Sequence, residues 1–540
     1  MQTCGEYLVQ LLEAYGVELI FGIPGVHTVE LYRGLSRTKI RHITPRHEQG
    51  AGFMADGYAR VTGKPGVCFI VTGPGMTNIA TAMGQAFSDS IPMLVISAVN
   101  DRASLGMGQG RLHELPSQRA LTAGVSVFSH TLLDAVQLPD ILAKAFAVFG
   151  SQRPGPVHIE IPLDVIVSDV KSEGPKLRCL PSRAAPDPEF IKRASEILKK
   201  AKRALIVAGG GGADAASQIR QIAEILDAPV FMTINGKGIL PPHHPLALIG
   251  NLAMEPLANE LKDADVVLAI GTEFGETEMY PEPRPIEIGG TLIRVDIDAL
   301  MLATGSYATI PIVADAKLAS AALISALGDH KSTPEMQGSV RAAAIQRAVA
   351  AGLWPACRTH QGLLGIIAKV LPDVVIAGDQ TEPVYAANQF YQAPRPRSYF
   401  NASTGYGTLG YGMPAAFGVK LGVPKRPVVC LIGDGGLQFT LSELATGVEA
   451  NIAVAIVVWN NQGYGEIKNF MIERNIPPVG VDIYTPDFIG VAKSMGCAAF
   501  LPATISELES ELANSGLRHT PTVIEIRADS PLALALADAG

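Results

Sequence analysis

The feature that most constrains the fold of this sequence is the regular alternation of short apolar runs with helical stretches. Strands separated by helices require right-handed crossovers, which give parallel sheets with both faces covered. The pattern therefore predicts an α/β fold of doubly wound parallel sheets. Strands are predicted at residues 67–71, 93–97, 157–161, 204–208, 230–233, 266–270, 292–296, 374–377, 428–432, 453–459 and 522–526.

The length of 540 residues exceeds what one hydrophobic core supports. Residues 168–188 and 328–338 are polar and lack periodicity, which is typical of linkers. We therefore predict three doubly wound domains, at residues 1–167, 189–328 and 357–540. The first is expected to open with an amphipathic helix that ends at Gly16.

Composition limits the classes of partner. The formal net charge is −8 and no Lys/Arg run is present, so nucleic acid is not expected. No apolar run approaches the roughly 20 residues of a membrane helix. The six cysteines are far apart and no secretory signal is visible, which predicts a cytoplasmic protein without disulfides.

Two polar motifs follow predicted strands that are one crossover apart. Gly433-Asp434-Gly435-Gly436 follows the strand at 428–432, and Asn460-Asn461 follows the strand at 453–459. Parallel strands deliver such residues to one carboxyl edge, where α/β sheets bind ligands. Mg²⁺ prefers carboxylate and carbonyl oxygens, and glycines let backbone N–H groups approach a diphosphate. A helix expected to begin near Thr440 would add its dipole. A lone GDG is more often a tight turn, but the spaced pair favours a metal–diphosphate site.

The segment GDGGLQFTLSELATGVEANIAVAIVVWNNQGYG (433–465) resembles the thiamine-diphosphate signature of acetolactate synthases and related 2-oxo acid decarboxylases. The resemblance covers nearly the whole chain and implies their three-domain fold. Further motifs stand in the family's order: FGIPG, RHEQGAGFMADGYAR, TGPGMTN, RPGPVHIEIPLDV, AGGGG, NGKG, VDID and TGYGTLGYGMPAAFG.

The resemblance implies site residues by position. Asp434, Asn461 and the backbone carbonyl of Gly463 match the Mg²⁺ ligands, and Glu48 matches the glutamate that hydrogen-bonds N1′ of the aminopyrimidine. Leu409 matches the apolar residue under the bent cofactor. The other cofactor contacts implied are Gly25, Thr72, Asn78, Gln380, Thr381, Gly433, Gly435, Gly436 and Tyr464.

The chemistry explains the choice of a glutamate at position 48. A carboxylate at N1′ favours the imino tautomer of the aminopyrimidine, which can remove the thiazolium proton. The alternative is a solvated helix residue, but Gly50, Ala51 and Gly52 allow close approach. In the family, Glu48 and the metal ligands come from different chains, which predicts a homodimer or homotetramer with its site at the subunit interface.

Departures from the acetolactate synthases argue against their activity and against their flavin, although AGGGG leaves the flavin question open. The family's FQE run is replaced by Leu112-His113-Glu114, followed by Gln118. Ser129 stands where the family has a lysine, and Phe470 stands where the family has a tryptophan. The central domain carries an acidic run with Glu273, Glu276, Glu278 and Glu282.

An acidic mouth suits a guanidinium substrate, and the first domain is similar to that of 2-ketoarginine decarboxylases. We therefore predict decarboxylation of 5-guanidino-2-oxopentanoate to 4-guanidinobutanal and CO₂, in arginine catabolism. The alternative is acetolactate synthase-like carboligation of pyruvate, with the glutamates a solvated loop. His27 and His113 are predicted to line the cavity and relay protons.

Two other function classes remain open at this point. A nucleotide-binding oxidoreductase is suggested by the strand at 204–208 running into Gly209–Gly212, but G-x-G-x-x-G is absent. A non-enzymatic scaffold would not need Asp434, Asn461 and Glu48.

Overall fold

The computed structural model describes residues 2–171, 174–279, 286–332 and 337–540. The chain packs as two compact units. One contains residues 1–182, 406–501 and 514–525, and the other contains residues 183–405, 502–513 and 526–540. Three parallel six-stranded sheets flanked by helices confirm the predicted fold class. The predicted domain boundaries stay a prediction.

The first sheet lies in the first unit and has buried strands at its centre. The core on one face of this sheet includes the helix Cys4–Ala14, which opens with a Thr3–Glu6 capping box. The helix ends before Gly16, as predicted. In spatial order the strands are Arg41–Ile43, Leu19–Gly22, Gly66–Ile70, Met93–Val99, Pro156–Pro162 and Phe128–Thr131.

The second sheet lies in the second unit and separates two apolar clusters, one on each face. Its strands, in spatial order, are Ala247–Leu248, Val230–Met232, Ala204–Ala208, Val266–Ile270, Thr291–Asp296 and Ile310–Val313. The third sheet has the order Tyr399–Asn401, Val375–Gly378, Val428–Gly433, Ala455–Asn460, Thr522–Arg527 and Ala498–Phe500.

Every predicted strand is present, and its bounds differ from the prediction by no more than two residues. The helices of more than six residues are Cys4–Ala14, Val29–Leu35, Glu48–Thr62, Pro74–Ser88, Leu138–Ser151, Pro188–Leu198, Ala216–Leu226, Glu255–Asp263, Ala316–Leu327, Gly338–Ala351, Cys357–Val370, Glu382–Phe390, Gly412–Gly422, Asp434–Thr440, Glu443–Glu449, Gly465–Glu473, Phe488–Ser494, Ile505–Ser515 and Pro531–Ala539.

The first predicted linker is not wholly irregular. Asp169–Val170 forms an antiparallel ribbon with Gln2–Thr3, and the N–H of Cys4 donates to the carbonyl of Ser168. The prediction of an exposed coil is therefore wrong at its start, because a distant segment satisfies the backbone there. The second predicted linker is described only in part, and a helix begins at its last residue, Gly338.

None of the six cysteines, all of which lie in the described residues, forms a disulfide bond, and Cys179 is the exposed one. None of the helices in the described part of the chain combines the length and apolar character that crossing a membrane requires.

Candidate active site

Glu48 is the first residue of the Glu48 helix (Glu48–Thr62) and is only 8% exposed. The side chain of His47 caps this helix by accepting the N–H of Gln49. Asn78 donates from Nδ2 to Oε2 of Glu48 at 2.9 Å. The carboxylate is thus buried and oriented by a neutral amide, which excludes the alternative of a solvated helix residue.

Asn78 belongs to the Pro74 helix (Pro74–Ser88), which starts at the carboxyl edge of the first sheet. Thr72, just before this helix, is 1% exposed. Among the described residues, nothing bonds its Oγ1. A buried hydroxyl without a partner usually serves a ligand or a water molecule, which fits a role in binding.

Gly25 follows the strand Leu19–Gly22 and forms a compact turn with Thr28. Its N–H donates to the Thr28 hydroxyl at 3.0 Å, and its carbonyl accepts the N–H of Thr28 at 2.8 Å. A Cβ at this position would lie 2.7 Å from Cγ2 of Val71. The glycine therefore keeps this turn close to the segment that carries Thr72.

His27 and His113 are brought together. Their rings lie 5.0 Å apart in an edge-to-face arrangement. Within the described chain, neither Nδ1 atom has a hydrogen-bond partner although both are buried. Burial lowers the pKa of His27, and neighbouring His113 lowers it further while Asp101 opposes the shift. His27 is therefore neutral near pH 7.

Asp434 and Asn461 meet at one carboxyl edge, as their spacing predicts. Their strands, Val428–Gly433 and Ala455–Asn460, are parallel neighbours. Asp434 is 1% exposed, and its Oδ2 accepts the Thr485 hydroxyl at 3.2 Å. Burial raises the pKa of Asp434, whereas hydrogen bonds from Thr485 and the Asn461 backbone lower it. A desolvated carboxylate of this kind gains from a bound cation.

The helix after this strand begins at Asp434 rather than near Thr440. The expectation of a later start is wrong because Gly433 is extended and the following residues already have helical geometry. Thr440 is the last residue of this helix, and its hydroxyl donates to the Gly410 carbonyl at 2.9 Å. Gly435 and Gly436 lie buried in its first turn.

Two glycines allow the backbone segments around Asp434 to pack closely against their neighbours. A Cβ at Gly435 would lie 2.7 Å from the Tyr464 ring, and one at Gly463 would overlap the Val481 carbonyl. That carbonyl accepts the N–H of Tyr464 at 2.9 Å. The predicted residues Gly435, Gly463 and Tyr464 therefore form one tightly packed cradle. Leu409 is half-buried.

Gln380 and Thr381 lie in the second unit, after the strand Val375–Gly378. Gln380 donates from Nε2 to the Ala402 carbonyl at 2.9 Å and accepts the Tyr385 hydroxyl at 3.0 Å. Thr381 is 7% exposed and precedes the helix Glu382–Phe390. Their contact with a diphosphate stays a prediction.

The sequence analysis missed two positioning contacts. Buried Glu443 accepts the backbone N–H groups of Arg46 and His47 at 3.0 Å each, just before Glu48. Its place in the LSELATG segment after the metal motif is the available signal. Thr485 was also missed, because it is far from Asp434 in the chain and stands in no motif.

The acidic run of the second unit is not uniformly exposed. Glu278 is buried, accepts the Ile234 N–H at 2.8 Å and lies near buried Lys237. Burial raises the pKa of Glu278 to about 7 and lowers that of Lys237 to about 8. The prediction that Glu278 forms part of an acidic mouth is therefore wrong. Glu273 and Glu276 are exposed, and Glu282 lies outside the described residues.

The glycine-rich loop of the second unit has a packing role. A Cβ at Gly209 would overlap the Gly271 carbonyl, and Gly211 donates its N–H to the same carbonyl at 3.1 Å. Residues Gly210–Ala215 form a 3₁₀ helix. Because these glycines have no side chains, the turn at Gly271 can pack directly against the loop.

Comparison with known proteins decides the family. The model of the thiamine pyrophosphate enzyme N-terminal binding domain matches residues 2–121, that of the central domain residues 191–323, and that of the C-terminal binding domain residues 379–526. The chain belongs to the thiamine pyrophosphate enzymes. It is a thiamine-diphosphate-dependent decarboxylase in class, which confirms that prediction and excludes the oxidoreductase and scaffold alternatives.

Individual relatives agree with this family. The chain is 44% identical to the probable 2-ketoarginine decarboxylase of Pseudomonas aeruginosa, over 97% of this chain and 94% of the relative. It is 34% identical to the acetolactate synthase isozyme 1 large subunit of Escherichia coli, over 86% and 82%. A probable acetolactate synthase large subunit of Methanocaldococcus jannaschii is 30% identical, over 99% and 93%.

The residues present fit the cofactor of this family. Asp434, Asn461 and Gly463 offer the hard oxygen donors that Mg²⁺ takes. The glycine cradle around Asp434 would be filled by any side chain. Buried Thr72 offers a hydroxyl without another partner in the described chain.

Proposed function

We propose that this chain decarboxylates 5-guanidino-2-oxopentanoate (2-ketoarginine) to 4-guanidinobutanal and CO₂, with thiamine diphosphate and Mg²⁺, in arginine catabolism. The observation that carries the reaction is buried Glu48, 8% exposed and oriented by Asn78 at 2.9 Å. The substrate is supported by the 44% identity to the probable 2-ketoarginine decarboxylase, and not by Glu278.

Thiamine diphosphate supplies, when bound, the electron sink that decarboxylation of a 2-oxo acid requires. Glu48 holds and returns a proton at N1′ of the aminopyrimidine, and Asn78 fixes the orientation of its carboxylate. The Asp434 carboxylate, the Asn461 side chain and the Gly463 carbonyl hold Mg²⁺. Gly25, Thr72, Gln380, Thr381, Leu409, Gly433, Gly435, Gly436 and Tyr464 complete the cofactor site.

His27 and His113 deliver the proton that the reacting carbon takes up after CO₂ has left. Their adjacent rings and unpartnered Nδ1 atoms, in the described part of the chain, support this role. Because the pKa of His27 is lowered, its protonated ring is a stronger acid than an ordinary imidazolium and gives up its proton readily. Prompt protonation favours aldehyde release over attack on a second carbonyl.

We further propose a homodimer or homotetramer in which Glu48 of one chain faces Asp434 of another, as in the resembling family. The lack of disulfide bonds among the six described cysteines supports a reducing, cytoplasmic location. The packing role of the Gly209–Gly212 loop supports a central domain without flavin. A visible spectrum of the purified protein tests the last point, because bound flavin absorbs blue light.

The substrate assignment is tested by measuring CO₂ release from 2-ketoarginine, pyruvate and 2-oxobutanoate side by side, with identified products. We expect kcat/KM to favour 2-ketoarginine by roughly 100-fold or more, since an unpaired polar contact is strongly discriminating. Protein stripped of metal with a chelator is the control. Preference for pyruvate with acetolactate as product would establish the alternative carboligase, which the 34% identity to the Escherichia coli synthase supports.

A further inference from the structure

Gln118 is a buried amide whose two ends both have partners. It is 2% exposed and is the first residue of the helix Gln118–Ala123. Its Oε1 accepts the N–H of Gly73 at 3.0 Å, and its Nε2 donates to Oε2 of Glu160 and the Ala98 carbonyl, both at 3.1 Å. The amide is held in one orientation, because only Nε2 can donate to these oxygens.

Gly73 is the residue through which this amide reaches the active site. It caps the Pro74 helix with φ +71°, a conformation that disfavours residues with a Cβ. A Cβ would also lie 2.6 Å from the carbonyl oxygen of His113. The Gly73 turn is therefore held by Gln118 on one side and packed against the His113 loop on the other.

The Pro74 helix carries this constraint to Glu48. Asn78 lies just over one turn beyond Gly73, and its amide donates to the Glu48 carboxylate at 2.9 Å. A helix start fixed by a buried hydrogen bond cannot shift or rotate without leaving the Gly73 N–H unpaired. The position of Asn78 against Glu48 thus depends on the bond to Gln118.

We propose that Gln118 is a positioning residue for Glu48, acting through the Gly73 turn and the Pro74 helix. This role rests on the proposed function, because Glu48 must be placed against the cofactor. In the described chain, the hydrogen bonds of Gln118 go to Gly73, Ser97, Ala98 and Glu160 and not to Glu48, so the amide acts through the Gly73 turn. A neutral amide suits the position, since Glu160 is buried beside it and a second carboxylate there would be repelled.

The test compares wild type, Gln118→Ala and the control Ser126→Ala. Ser126 is buried, and its hydroxyl donates to the carbonyl of Thr122, four residues earlier. It makes no described hydrogen bond to Gly73. Amide hydrogen exchange of residues 72–78 is measured in the protein without cofactor. Exchange of the thiazolium C2 hydrogen for deuterium is measured in the holoenzyme.

For Gln118→Ala we expect about tenfold faster exchange of the Gly73 amide and about tenfold slower C2 exchange, the factor that one lost buried hydrogen bond gives. Ser126→Ala should change neither. Unchanged C2 exchange despite a deprotected Gly73 amide would overturn the role of Gln118. Wild-type protein that does not speed C2 exchange would instead overturn the proposed function, and this role with it.

Gln118→Glu keeps the test decisive if the alanine variant does not fold. It retains an acceptor for Gly73 but sets a carboxyl against Glu160, with Arg119 and His158 the other titratable groups nearby. C2 exchange should be slow at pH 8 and should recover relative to wild type as the pH falls, because one protonated carboxyl restores the donor. A deficit that does not change with pH would contradict the positioning role.

Discussion

The two histidines and the two acidic residues of the site lie in different surroundings. Glu48 is buried against an amide, Asp434 against a hydroxyl and backbone N–H groups, and His27 against another imidazole. Each environment suits one task, because neighbours decide which protonation state a buried group prefers. The residues proposed as acid, metal ligand and proton relay thus differ in their local chemistry.

The relay is tested at the residue scale with His27→Gln and His113→Gln. We expect each to slow aldehyde release about 100-fold, a typical loss for general acid–base catalysis. Exchange of the cofactor C2 hydrogen should persist, because the Glu48–Asn78 contact is intact. A proton donor is lost as the pH rises through its pKa, so His27 should control the alkaline limb of the pH profile. Because the pKa of His27 is lowered, that limb should lie below the usual pKa range of histidine and should disappear in His27→Gln.

The control for the relay is His130→Gln, which replaces a histidine on the strand Phe128–Thr131, away from the His27–His113 pair. It should leave both aldehyde release and C2 exchange near wild type. Loss of C2 exchange in the His27 or His113 variants would show that they disturb the Glu48 site instead of the proton relay.

Sequence motifs located Glu48, Asp434 and Asn461, because each stands in a run whose residue types follow from the chemistry. Gln118 was visible but had no assigned role, since its bonds reach Gly73 and Glu160 from distant segments. The prediction for Glu278 was wrong for a similar reason, since its environment is formed by segments that are distant in the sequence. Its charge is apparent from sequence, whereas its burial depends on how the second unit packs.

At the scale of elements, two helices of the first unit cross unusually closely. A Cβ at Gly57 of the Glu48 helix would overlap the Ala415 carbonyl, and one at Gly418 would overlap the Met54 carbonyl. Both glycines therefore serve backbone-to-backbone packing. The crossing fixes the Glu48 helix against Gly412–Gly422, which leads into the strand before Asp434.

Gly418→Ala should therefore lower stability by about 1–3 kcal/mol, the usual cost of overpacking. The matched control is Gly365→Ala, also inside a helix, where a Cβ meets nothing within 4 Å. It should raise stability by about 0.5–1 kcal/mol, since alanine is the better helix former. Urea unfolding at one protein concentration measures both, and equal effects would contradict the packing argument.

Element positions were predictable where the signal is local. Buried parallel strands are continuous apolar runs, so their bounds came out within two residues. The Asp434 helix was misplaced because GDGG is typical of a turn when taken alone. The ribbon at Asp169–Val170 was missed because its partner, Gln2–Thr3, lies at the other end of the first sheet region and carries no strand pattern.

At the scale of the whole molecule, the proposed sharing of the site between two chains predicts complementation. Glu48→Gln and Asp434→Asn should each fold but lose activity, by roughly 100- to 10,000-fold for the acid–base residue. Coexpressed together, they should recover about a quarter of wild-type activity, because random pairing leaves one intact site in about half of the dimers.

Purified single variants, and mixtures made without subunit exchange, are the controls for this complementation. Sedimentation of the mixed sample should show dimers or larger assemblies. Absence of any recovery in mixed dimers would place both residues in a site formed by one chain.

The antiparallel ribbon of Gln2–Thr3 with Asp169–Val170 has a consequence for biosynthesis. Gln2–Thr3 is paired with Asp169–Val170, a segment that leaves the ribosome much later. The nascent chain can complete the first sheet region only then, and until that moment its opening strand has an unpaired edge. A chain released before residues 169–170 are made therefore lacks the partner that satisfies the backbone of this strand.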